Sequence, residues 1–437
     1  VSLLLKCRYH AILSGMTAYA GGSPNDGDPV KQWDDISGNG LHLTASDSDA
    51  SLCPAYSVNG FGIRNQPCIS SDGVNDRMRN LSINFGTNPI FVVAVFEAQR
   101  LQSSSAIETI AATKNGGTTS PGWALNAGNG YTHTQFNFFD DEYYDGAVFG
   151  HSSARYFNGN NSIPAGWPFD LDQSVVYMCQ LPSHADGGQG LRLFELADNT
   201  LFGKINLAEL RIYTGTATSG EIDAIWNEIR STWNYGNSKI FRLAAGSDDA
   251  VEQYSNGNTW HNGGNIANGY YYGGADGRVY SGNRFNNVLF GKGTPLRHAI
   301  IYEVCNTNSL GVSPTLGIYG EAADNAGTYN ASNYNISSRP YTTASVTWSS
   351  IMAWYAGRIY KTPELKTVVG EILARSGWAS GNAMAFKFNV SQDNSNYPNR
   401  FNTAYDTSPG SAPYLWIEDD PTNVIVDQYY RKMRQGV

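Results

Sequence analysis

The sequence predicts an all-β protein built as two β-sandwich domains in tandem, each carrying one short α-helix, with a short C-terminal tail. Three observations predict it. At 437 residues the chain is too long for one ordinary core. Charged residues are scarce at 15%, while Gly (47), Tyr (27) and Trp (10) are abundant, and Gly/Asn/Ser clusters punctuate short aromatic or β-branched runs, the pattern of strands joined by tight turns. Near residue 236 that pattern closes with a helix and then restarts.

In the first half the strand candidates are "PIFVVAVFEA" (89–98), "QSVVYMCQL" (173–181), "GLRLFEL" (190–196) and "KINLAELRIYTG" (204–215). The segment "QWDDISGNG" reads as a turn: Trp33 caps the sandwich, Ser37-Gly38-Asn39-Gly40 supplies the positive-φ residues, and one of Asp34 and Asp35 bonds backbone amides. The half ends in "TATSGEIDAIWNEIRSTWNY", where Ile222, Ile225, Trp226, Ile229 and Trp233 recur at helical spacing. Thr218 and Glu221 have the spacing of a capping box at its start.

The second half offers strands in "SKIFRLAAG", "RFNNVLFG", "LRHAIIYEVCN", "TLGIYGEA", "SVTWSS", "NAMAFKFNV" and "PYLWIED". One helix interrupts them in "TPELKTVVGEILARSGW": Thr362 and Pro363 suit the N-cap and first turn, Leu365, Val368, Val369, Ile372 and Leu373 the apolar stripe, and Gly377 the C-cap. The expected boundaries are 1–236, 237–420 and a basic tail at 421–437, the tail being either a frayed end or a docking peptide.

A net charge of −9 argues against a protein that tracks nucleic-acid phosphates. No segment reaches transmembrane length, so no membrane insertion is expected. The opening apolar run is too short for a signal peptide, which for a complete chain implies folding in a cytoplasm. The five cysteines include no C-x-x-C pair. Cys179 and Cys305 sit in apolar runs as small buried hydrophobes, and Cys53 and Cys68 could pair, although their spacing does not demand it.

Two resemblances follow from these motifs. "DGDPVKQWDDISGNGLHLT", "NGFGIRNQPCISSDGVNDRM", "PIFVVAVFEA" and "GKINLAELRIYTGTATSGEIDAIWNEIRSTW" resemble the laminin-G-like, concanavalin-A-like jelly-roll domains of bacterial secreted and phage surface proteins. "GSDDAVEQ", "RFNNVLFGKGTPLRHAIIYEV", "RPYTTASVTW", "YKTPELKTVVGEILARSGWASGNAMAFKF" and "YDTSPGSAPYLWIE" resemble DNRLRE-type β-sandwich modules, relatives of carbohydrate-binding modules. The resemblance implies surface display and glycan binding. The Tyr- and Gly-rich insert 256–283 has no place in the second family's pattern.

Catalytic constellations are missing from the sequence. There is no H-E-x-x-H, G-x-S-x-G or P-loop, and the seven histidines are scattered. A glycanase needs two carboxylates facing each other across a cleft; the corresponding strands each carry one, Glu97 and Glu195, so no enzyme activity is expected. For glycan binding the insert offers Trp260, His261, Asn265, Tyr270, Tyr271, Tyr272, Asp276 and Arg278, with subunit contact as the equal alternative for its rings. Three consecutive tyrosines cannot all face one side of a strand, so at least one is expected to be exposed. No cofactor is required. Structural calcium is a candidate at Asp248, Asp249 and Glu252, by analogy with the carbohydrate modules, and at Asp34 and Asp35, shared with Asp72 or Asp76; a further acidic cluster spans 140–145.

The function expected from all this is a non-enzymatic phage virion surface protein: a tail fibre, spike or capsid decoration. It would assemble with copies of itself or other virion proteins and touch cell-surface polysaccharide. The alternatives are a secreted bacterial polysaccharide-binding protein, or the binding portion of a glycan-degrading enzyme.

Overall fold

The computed structural model describes residues 3–12, 15–46, 48–61, 66–86, 88–98, 107–113, 122–128, 136–144, 147–151, 154–157, 160–161, 168–169, 175–181, 190–195, 202–261, 263–271, 277–390 and 397–421. The tail 422–437, Tyr272, Asp276 and Asp145 lie outside the described residues. The protein is an all-β sandwich structure with two compact units, Val1–Asn234 and Tyr235–Val437. No helix among the described residues is long and apolar enough to cross a membrane.

The first unit has two antiparallel sheets, of eight and ten strands among the described residues. The long strand Ile205–Thr214 organises the first of these. One side pairs with Ile90–Ala98, which in turn pairs with Val175–Leu181; the other side is shared by Gln66–Ser70 and Leu4–His10. Nearly every residue of these three central strands is buried, as their continuous apolar runs require of a strand covered on both faces. The second sheet runs from Met16–Ala18 through Val30–Trp33, Leu43–Thr44, Met78–Asn80 and Leu191–Leu193 to Ile107–Ala112 and beyond.

Helix Ser219–Thr232 opens on the capping box that the spacing predicts: the Thr218 side chain accepts from the Glu221 amide, and Glu221 reaches back to the Thr218 amide. Ile222, Ile225 and Ile229 form its buried stripe, with Trp233 buried just beyond.

In the second unit, Ser238–Arg242, Tyr414–Asp419, Leu296–Val304 and Ile359–Lys361 make a four-stranded sheet. Six strands make the other: Thr259–Trp260, Asp249–Gln253, Val279–Phe285, Met384–Val390, Leu316–Glu321 and Tyr341–Trp348. Alternate residues of the two sheets, such as Ala299, Ile301, Leu415 and Ile417 against Met384, Phe386 and Phe388, share one core. A separate ribbon pairs Asn265–Gly269 with Asn399–Thr403.

Two sequence expectations shift here. The strand sought in "RFNNVLFG" lies earlier, at Val279–Phe285, because Asn287 takes a positive φ of 51° and turns the chain out of the sheet. The helix is shorter than its apolar pattern suggested, Lys366–Leu373 with Leu365 at the N-cap and Ala374 at the C-cap. Thr362 does not cap it; its amide and hydroxyl bond the backbone of Ile301 instead, at 2.9 and 3.1 Å. Glu364 takes over the orphan amide of Lys366, at 3.0 Å. Gly377 falls past the end, where a Cβ would strike the Asp324 carboxylate.

Candidate functional site

The insert that fitted no pattern builds a pocket. Thr259–Trp260 is a short edge strand whose Trp260 lies opposite Val251 in register. The ribbon strand Asn265–Gly269 follows and places Ile266 beside Val251 in a small apolar cluster with Ala267, Val279 and Ala404. Between them opens a cavity of about 450 Å³, lined by Trp260, His261, Asn265, Tyr271, Val251 and Ile266 among others. That volume lies in the range of small-ligand sites. Trp260 and Tyr271 are 43% and 39% exposed and form one aromatic wall, ring centroids 6.5 Å apart and planes 28° apart. Phe401 meets the Tyr271 ring edge-on at 6.0 Å and supports it from the ribbon's second strand. Val251 and Ile266, nearly fully buried, form the floor.

The remaining insert residues divide. Tyr270 is fully buried and packs on Tyr397, while its neighbour Tyr271, past the end of the strand Asn265–Gly269, is exposed. Arg278 stacks over the Tyr254 ring rather than lining the pocket. The polar groups at the pocket are few. The Thr259 hydroxyl donates to the Gly257 carbonyl. The Asn265 carbonyl oxygen accepts from the Asn306 amide. The His261 Nδ1 is shielded from solvent and has no hydrogen-bond partner among the described residues.

The acidic candidates are held by backbone amides and arginine. Asp248 pairs with Arg284 at 2.5 Å and accepts from the Ala244 amide. Asp249 accepts from the Tyr405 amide at 2.6 Å, and Glu252 from the amides of Ile336 and Ser337. Asp34 accepts from the Gln32 side chain and meets His42 at 3.1 Å. Asp72 and Asp76 close their own turn, the Asp72 amide donating to Asp76 at 2.7 Å. No group of three or more His, Cys, Asp or Glu among the described residues is placed to hold a metal ion, so Asp34 and Asp35 do not form a shared cluster with Asp72 or Asp76. Strand Phe136–Tyr144 carries Asp140, Asp141 and Glu142, whose side chains lie outside the described set.

Asp35 is the amide-binding member of its pair. It accepts from the amides of Arg8 (2.9 Å), Ser37 (2.9 Å) and Leu41 (3.0 Å), tying the turn to the first strand. Burial pushes its carboxyl up, but these three amides outweigh burial and hold it below the usual range. Gly38 and Gly40 take φ of 89° and 68°, which the turn demands. Asp35→Ala would strip three charge-assisted bonds and is expected to cost about 2–3 kcal/mol, measurable by urea denaturation.

Glu97 and Glu195 do not face an open cleft. Both are buried, and Glu195 is gripped by the Arg79 guanidinium through both oxygens. A second concavity of about 540 Å³, on the first unit, is lined by His42, Arg77, Arg79, Asn80 and Leu81 among others; Arg79 is paired with Glu195, and His42 meets Asp34. All five cysteines are free and buried; burial pushes the Cys305 thiol up to about 11 and that of Cys68 to about 12.

No protein-family model matches the chain. No curated protein matches it either. Among solved structures it is similar to an arabinofuranosidase complexed with arabinofuranosyl-α-1,2-xylobiose (12% identity over 63% of this chain and 70% of that one, TM-score 0.33). It is also similar to a GH54 α-L-arabinofuranosidase (12%, 67% and 80%, TM-score 0.35). A third is domain 4 of a GH43 extracellular arabinanase from Geobacillus stearothermophilus, in complex with arabinotriose (14%, 52% and 99%, TM-score 0.27). Scores of this size do not establish a common fold.

Proposed function

We propose that the chain is a non-enzymatic saccharide-binding protein whose ligand stacks in the aromatic-walled pocket of the second unit. The observation that carries this reading is the convergence of Trp260 and Tyr271, both exposed, over a cavity of about 450 Å³. Sugar rings present C–H faces that pack on aromatic planes, and a few polar groups such as His261 and Asn265 orient the hydroxyls. The burial of Glu97 and Glu195 favours binding over hydrolysis, which needs two carboxylates flanking an accessible bond. The reading requires no cofactor.

We further propose that the protein is displayed on a phage virion as a tail-fibre, spike or capsid-decorating protein, with copies of itself or other virion proteins as partners. Five free buried thiols suit folding in a reducing cytoplasm, and an acidic surface suits solubility after release.

On a glycan array the protein is expected to bind a defined set of saccharides, and Trp260→Ala to lower that affinity about tenfold or more. Because Trp260 is exposed, the variant keeps its fold, and unchanged binding would defeat the pocket assignment. Mass spectrometry of purified virions tests the display: absence of the chain from the particle removes that part of the reading.

A further inference from the structure

Resting on the saccharide reading, we infer that the pocket selects an uncharged sugar bearing a methyl-terminated substituent, such as an N-acetyl, O-acetyl or 6-deoxy group. Two features of the lining lead there. First, no Asp, Glu, Lys or Arg among the described residues lines the cavity. A carboxylate- or sulfate-bearing sugar would be desolvated with no counter-charge.

Second, part of the described lining beyond the aromatic wall is apolar. Val251 and Ile266 make the floor, 3% and 1% exposed, and Ala331 adds a methyl at the rim. The polar groups are already largely engaged: Thr259 with Gly257, and the Asn265 carbonyl oxygen with Asn306. What remains for a ligand among the described residues is the half-buried His261 ring, apart from its shielded Nδ1, and the Asn265 amide nitrogen. A plain hexose has hydroxyls around its whole rim. Seated on Trp260 and Tyr271, it would turn at least one of them toward Val251 and Ile266, where a buried hydroxyl finds no partner. A methyl group in that place fills the floor and leaves the opposite hydroxyls for His261 and Asn265.

The test is calorimetric titration of the full chain with matched sugar pairs: N-acetylglucosamine against glucose, and L-fucose against L-galactose. The methyl-bearing member of at least one pair is expected to bind about tenfold more tightly, the discrimination one methyl earns in an apolar pocket; which pair responds separates the acetyl from the deoxy source. Ala331→Ser, at an exposed position, and Val251→Thr, in the floor, are each expected to narrow that preference to within about threefold while leaving Trp260-dependent binding in place. Should Val251→Thr not fold, Ala331→Ser carries the test. Equal or tighter binding of glucose and L-galactose, still lost in Trp260→Ala, would overturn the methyl selection and keep the saccharide reading. Failure of every sugar on the array and in titration would overturn both.

Discussion

Glu209→Ala is expected to destabilise the first unit by about 3–5 kcal/mol, the usual cost of orphaning a buried charge. Glu209 is fully buried on the central strand Ile205–Thr214. It accepts from Arg8 Nε (2.8 Å), Arg211 Nε (2.7 Å) and Trp233 Nε1 (2.7 Å). Glu228 completes a two-plus-two arrangement, reaching the same two arginines at 2.8 Å each. Burial pulls the Glu209 carboxyl up, but the Arg211 charge, with its hydrogen bond, holds it below the usual range, so it is ionised at neutral pH. His10, stacked on Trp233 at 4.8 Å, is the neutral member: desolvation pushes it down to about 4, and its Nδ1 accepts from the Ile12 amide.

Removing Glu209 leaves Arg211, 1% exposed, with one excess positive charge that only half-exposed Glu228 can answer. The double variant Glu209→Leu with Arg211→Met should recover much of the loss, because an apolar pair needs no compensation. Urea denaturation followed by Trp fluorescence distinguishes the two, since Trp233 sits in the network. A single variant within about 1 kcal/mol of the parent would show that water reaches Arg211 in the folded state.

The architecture was legible because its signals are local. Continuous apolar runs such as "VVAVFEA" and "VVYMCQL" announced strands, and the glycines of "SGNG" announced their positive φ. Thr218 and Glu221 meet within one turn of chain, so spacing alone revealed the capping box. Thr362 had the same local look, but a strand partner, Ile301, claimed its hydroxyl; tertiary pairing overrode the cap. The pocket was half legible. Period-two alternation required that some of Tyr270–Tyr272 be exposed, and Trp260 and His261 were natural candidates, yet nothing in the sequence brings Val251 or Ile266 beneath them. The buried ionic groups were missed for the same reason. Glu209 and Arg211, two apart on one strand and therefore on one face, were a readable hint of an internal pair. Glu303, alone in "IIYEVCN", was another hint, a charge in an apolar run, whose partners sit on distant strands.

Glu303 should make the second unit's stability fall as pH rises from about 4.5 to 7. It is fully buried on Leu296–Val304 and accepts from the side-chain amides of Asn268 (2.7 Å) and Asn402 (2.8 Å), both fully buried on the ribbon strands. Burial pushes its carboxyl from 4.5 to about 7, and the side-chain amides of Asn268, Asn402 and Asn283 only partly offset this. Below 4.5 the carboxyl is protonated whether folded or unfolded, and the folded state keeps its full advantage. As pH rises, the unfolded chain ionises first, so stability declines until the folded carboxyl also ionises near 7, after which it is flat. The whole decline is at most about 3 kcal/mol.

Glu303→Gln should remove this slope, leaving stability near the parent's at pH 5 and raising it at pH 8. The substitution is tolerated because Asn402 can turn its amide over: its Oδ1 has no hydrogen-bond partner among the described residues and can accept from the new NH₂. Asp249, also pushed up to about 7 by burial and by neighbouring Asp406 and Asp248, contributes to the same window, so the single variant flattens part of the profile and Asp249→Asn should flatten more. Denaturation of the full chain between pH 5 and 8, parent against Glu303→Gln, decides it: the parent should lose stability relative to the variant as pH rises, and a difference that stays constant or moves the other way would contradict the assignment. Asn268 shares its strand with Asn265 and Ile266, which line the pocket.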